Sequence, residues 1–124
     1  MEYSATLVDH FQHPHNVGEL DDPDAVADGE NPVCGDTLRI ELRIQDDVIT
    51  QIRWLASGCP PAIAAASAAS VLLEGSTLEA ARRLDRAAIA AALDGIPSRK
   101  VHAVTLVLTT VGRALDAYTS RPRI

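Results

Sequence analysis

Thr37-Leu38-Arg39-Ile40-Glu41-Leu42-Arg43-Ile44 alternates polar and apolar residues without a break. A period of two is that of a β-strand, with Leu38, Ile40, Leu42 and Ile44 on a buried face. Thr37, Arg39, Glu41 and Arg43 then fall on the wet face. Gln45-Asp46-Asp47 reads as a turn, and Val48–Ser57 returns as a second strand with Val48, Ile52, Trp54 and Ala56 on one side. The stretch predicts an antiparallel hairpin, and the rest of the chain must cover its apolar face.

Helices supply that cover. On the N-terminal side, Ser4 is placed to cap a short helix whose Leu7, Val8 and Phe11 share a face, and Pro14 stops it. Residues 15–33, rich in Asp, Gly, Asn and Pro, read as an acidic loop. Beyond the hairpin, Gly58-Cys59-Pro60-Pro61 opens a helix, because a first helical turn tolerates proline. Alanines carry it to Glu74, and Gly75 ends it. Ser76 and Glu79 have capping-box spacing for a short helix, and Asp85 caps another that stops at Gly95.

The segment from Ser98 onward has two readings. Val104–Val111 is β-branched enough for a strand. Val101, Val104, Leu108, Val111, Leu115 and Tyr118 step by three and four, a helical stripe, and the absence of a turn signal favours helix. The class is therefore α+β: a small antiparallel sheet packed on helices, in one domain spanning residues 1–124.

Composition limits the function. With 124 residues and only four aromatic rings among 47% apolar residues, the core must be aliphatic. A net charge of −6 argues against nucleic acid, which calls for a basic face. Residues 1–38 hold nine acidic residues and no Lys or Arg, whereas residues 99–124 hold five basic residues against Asp116 alone. This asymmetry reads as solvated faces of opposite sign, with a partner-docking surface as the other reading. No apolar run is long enough for a membrane span, and Glu2 and Asp9 stand where a signal peptide needs basic and apolar residues. Two cysteines make no disulfide framework, so the expectation is a cytoplasmic protein with reduced thiols. The chain has no glycine-rich phosphate loop, dinucleotide fingerprint or supported nucleophile–base pair, so an enzyme is not expected.

Four residues carry the candidate chemistry. In the extended Cys34-Gly35-Asp36 triplet, a thiolate and a carboxylate point the same way. Cys59 opens a helix, whose dipole is expected to lower its thiol pKa. His102 falls in the first turn of the last helix, where the dipole keeps imidazole neutral and able to ligate. Together they form a sufficient tetrahedral set for zinc or iron. His10, His13 and His15 cluster around Pro14 and read as a polar helix end entering a loop, with positions 10 and 13 able to share a face.

Tyr3-Ser4, Asp9-His10, Pro14, Asn16-Val17-Gly18, Cys34-Gly35-Asp36, Gly58-Cys59 with Ala62-Ile63-Ala64, and Lys100-Val101-His102 follow one another in a recognisable order. In these motifs the chain resembles the IscU/NifU-type iron–sulfur cluster scaffold proteins over almost its whole length. The resemblance implies an α+β sandwich and a labile cluster built on three cysteines, aided by an aspartate and a histidine, with sulfur from a cysteine desulfurase. It makes Cys34 and Cys59 thiolate ligands, Asp36 the residue that keeps the cluster transferable, His102 a conditional ligand and Lys100 a neighbour. The cargo would be a 2Fe–2S cluster or iron. Zinc on the same residues, in a module that docks to the sulfur-mobilising machinery, is the alternative, and a homodimer sharing one cluster is a further arrangement. Three positions depart from the family: Ala103 stands where the third cysteine would follow the histidine, Pro60-Pro61 replaces Gly-Ser, and Ile96-Pro97-Ser98-Arg99-Lys100 replaces the chaperone motif. The last departure argues against docking by a dedicated Hsp70-type chaperone.

Overall fold

The computed structural model describes residues 3–121. The alternating stretch forms β2 (Asp36–Gln45), the central strand of a three-stranded antiparallel sheet between β1 (Ala25–Asn31) and β3 (Val48–Ser57). Asp46 and Asp47 turn β2 into β3 with φ of 53° and 60°, the left-handed pair of a two-residue hairpin loop. Leu38, Ile40, Leu42 and Ile44 are buried as the period requires.

Two side chains depart from simple alternation. The ladder shifts between Arg43 and Ile44, so Ile44 pairs with Ile49, and Ile49 turns inward. A bulge inserts one residue and resets the face, which periodicity alone does not show. Glu41, expected on the wet face, is buried: it accepts hydrogen bonds from the Leu20 amide (2.7 Å) and Arg39 Nε (3.1 Å).

The acidic segment is the larger correction. Residues 15–33, read as a loop, contain β1 and a strap that binds the opposite edge of the sheet. Ala, Asp, Gly and Asn are poor strand formers, so β1 has little local signal, and pairing with β2 creates it. Gly29 is needed there, because a Cβ would collide with Thr110 of the last helix. At the other edge Val17 bridges Trp54: the Trp54 amide donates to Asn16 O (3.1 Å) and the Gly18 amide to Trp54 O (3.0 Å). The strap thereby covers backbone groups of an edge strand.

Helices α1 (Ala5–Gln12), α2 (Pro60–Leu73), α3 (Leu78–Arg82), α4 (Arg86–Ala92) and α5 (Val101–Ser120) complete the chain, with a 3₁₀ turn at Ser98–Lys100. The last segment is thus helical, with Val104, Val107, Val111 and Leu115 buried. The alanines of α2 are buried on nearly every side, which lets the sheet, α1 and α5 approach it closely. Ser4 and Asp85 cap α1 and α4 as expected. Thr77, not Ser76, caps α3 and accepts from the Ala80 amide, while the Ser76 carbonyl accepts from the Ile49 amide (2.9 Å). Among the described residues no helix is long and apolar enough to cross a membrane.

Candidate metal centre

Cys34 lies in the loop from β1 to β2. Asn31 shapes that loop: its carbonyl accepts from the Gly35 amide (2.7 Å) and its Oδ1 from the Val33 amide (3.1 Å). Gly35 has φ 74°, which a residue without a Cβ adopts freely, and it returns the chain into β2 at Asp36. Cys34 is left exposed at the loop tip, and Asp36 is buried at the start of the strand.

His102, in the first turn of α5, reaches the same point, with Nε2 at 3.1 Å from Cys34 Sγ. One ligand atom each from Cys34, Asp36 and His102 lies within 4.8 Å of the others. Cys59 joins the group through Asp36: its amide donates to Asp36 Oδ1 (3.3 Å) and its thiol to Oδ2 (3.6 Å). The four candidate residues therefore come from a loop, a strand and the starts of two helices, and Asp36 links them. A thiol, a carboxylate, an imidazole and a second thiol beside the carboxylate fit the chemistry of zinc or iron.

The helix dipole does not govern Cys59 as expected. The residue is the N-cap of α2, yet burial pushes its thiol up. The Ala62 amide pulls it down, the Asp36 carboxylate pushes it up again, and Lys100 pulls it down more weakly. Pro60 and Pro61, the first two residues of α2, have no amide hydrogen to donate to the sulfur.

Gly58, which opens the helix and belongs to the Gly58-Cys59 motif, lies directly against Asp36. A Cβ there would stand 2.6 Å from Asp36 Oδ1 and 2.8 Å from its Cγ, so the carboxylate keeps its place only beside glycine. Ala103, next to His102, has no exposed surface and offers no donor. His102 also lines a cavity of ≈ 210 Å³ with Pro32, Thr105 and Arg113.

The sequence matches the family model described as the NifU-like N terminal domain over residues 2–124. The chain belongs to the NifU-like N-terminal domain family. An iron-sulfur cluster assembly scaffold protein IscU 1 of Archaeoglobus fulgidus is 40% identical to this NifU-like chain over 116 residues, covering 94% of the chain and 76% of the relative. The IscU scaffold protein of Escherichia coli is 31% identical over 125 residues, covering 98% and 97%. The fold recurs in the NifU-like protein (N-terminal) of Brucella abortus, with TM-score 0.79 at 22% identity over 98% of this chain and 96% of that one. It recurs also in a putative SUF-system scaffold of Fervidobacterium islandicum, with TM-score 0.80 at 20% identity over 93% and 97%.

Proposed function

We propose that this NifU-like chain is an iron–sulfur cluster assembly scaffold, with Cys34, Asp36, Cys59 and His102 holding a labile 2Fe–2S cluster or its iron precursor as cargo. The observation that carries the proposal is the convergence of Cys34, Asp36 and His102 within 4.8 Å, with Cys59 hydrogen-bonded to the same carboxylate.

The donor set suits loading and release. Soft thiolates retain sulfide-bridged iron, and a hard carboxylate holds it less firmly. With Ala103 in place of a third thiolate, retention is weaker and hand-off easier. Exposure of Cys34 leaves one side of the centre open to a donor or acceptor. The assembly partner in this reading is a cysteine desulfurase supplying sulfur. The chain works as one domain, residues 1–124, in the cytoplasm, and it carries cargo without turning over a substrate.

Anaerobic reconstitution with iron and sulfide should produce visible charge-transfer absorption that is absent in Cys59→Ala. A colourless, iron-free protein would refute the proposal. A second reading, zinc in a module that regulates or docks to the sulfur-mobilising machinery, is favoured by the compactness of the three-atom group, which is the size of a mononuclear site. Zinc that survives competition with iron in protein purified without added metal would establish it instead.

A further inference from the structure

His10 and His15 come together although Pro14 and the end of α1 separate them. The pair anticipated from helix spacing, His10 with His13, does not form: His13 Nδ1 turns back to Asp9 Oδ1 (3.2 Å). The His10 and His15 rings instead lie with centroids 5.4 Å apart and planes tilted by 53°. Two imidazoles sharing one zinc-sized ion at ~2.1 Å in tetrahedral geometry place their centroids roughly 5.3 Å apart. The observed spacing matches.

The surroundings fit a ligand pair. His10 Nδ1 is 2.8 Å from Ser67 Oγ, on a residue with no exposed surface. Metal binding at Nε2 requires the tautomer with the proton on Nδ1, facing that hydroxyl, the arrangement in which a ligating histidine has its second nitrogen anchored by the protein. Ser67 Oγ also accepts from the His15 amide (2.9 Å), so one buried hydroxyl fixes both residues. Among the described residues the His15 ring makes no hydrogen bond, and its structural bonds run through its backbone: its carbonyl accepts from Trp54 Nε1 (2.7 Å) and Ser70 Oγ (3.3 Å). Ser67 lies eight residues beyond Cys59, about 12 Å along α2, so this pair is separate from the candidate centre.

We propose that His10 and His15 form a second metal site, for a divalent transition ion of the zinc class, with water completing the coordination. Imidazole suits such ions, and the position couples the end of α1 to the strap on β3. A bound ion holds these two segments together and stabilises the folded chain by mass action.

The test is zinc titration of Cys34→Ser/Cys59→Ser protein, which lacks both thiols of the candidate centre, read by calorimetry and by the shift in Tm. One zinc equivalent should remain and raise Tm. His15→Asn, which keeps every backbone bond of the strap, should weaken binding at least about tenfold and abolish the Tm shift; His13→Asn should do neither. Absence of the equivalent in the double variant, or equal binding by His15→Asn, would overturn the proposal. Either result leaves the cluster reading untouched, because that reading rests on other residues.

Discussion

Asp36 is the residue on which the proposed centre depends, and its position depends in turn on what Gly58 lacks. A methyl group at position 58 would meet the carboxylate at 2.6 Å. Gly58→Ala should therefore cost about 1–3 kcal/mol, the usual penalty of overpacking, and should lower iron retention by displacing the carboxylate. The penalty should shrink in an Asp36→Ala background, where the clash is gone; urea midpoints for the four proteins of that cycle give the coupling. An equal cost in both backgrounds would show that Gly58 serves something else. At this scale the sequence was partly legible. Of the four candidate ligands picked out by residue type, Cys34, Asp36 and His102 come within 4.8 Å of one another and Cys59 bonds Asp36. The electrostatics of Cys59 were not legible, since burial and Asp36 outweigh the helix end. Gly58 stood out as a motif residue and a helix opener, but its exclusion of a side chain beside Asp36, 22 positions away, is a tertiary fact.

Among the elements, those with a strong period were readable and those held by pairing were not. β2, β3 and α5 carry their own period and α2 its proline start, alanine run and glycine stop, whereas β1 and the strap at Asn16–Gly18 acquire order from the sheet edges they bind. Both lie in a segment whose Asp, Gly and Pro content reads as a loop. His10 joins α1 to this strap through Ser67, which makes the junction sensitive to pH. Burial and the neighbouring His15 hold its imidazole pKa below 6.5, with Asp9 opposing them. As pH falls through 6.5, the unfolded chain takes up the proton before the folded one, so this contribution to stability is present above 6.5 and lost below it. Metal-free protein should lose urea resistance between pH 7.5 and 5.5, and His10→Asn should flatten that slope. A wild-type slope retained in His10→Asn would assign the sensitivity to another group.

Across the whole molecule, the charge asymmetry of the sequence proves to be partly satisfied within the fold. Arg39 bonds Asp28 (3.2 Å), Arg43 bonds the carbonyls of Asp21 and Asp22, and Arg121 approaches Asp24 at 3.8 Å. Arg113 reaches the Asp28 carbonyl (3.1 Å). Much of the acidic segment is thus fastened to the sheet and to α5 instead of being free for a partner. These exposed pairs contribute little stability individually, but they hold β1 and its approach in place, and β1 delivers the loop that carries Cys34. The fold as a whole brings one loop, one strand and two helix starts to a single carboxylate, and on the proposed function this convergence holds transferable iron and sulfide. The direct measurement is iron and acid-labile sulfide per chain after anaerobic reconstitution, followed by incubation with an apo-ferredoxin acceptor. Wild-type protein should bind iron and sulfide in equal amounts and pass them to the acceptor, and Cys34→Ser and Cys59→Ala should each hold neither. Equal loading in all three proteins, or a wild type that takes up zinc and refuses iron, would show that these residues do not carry a cluster.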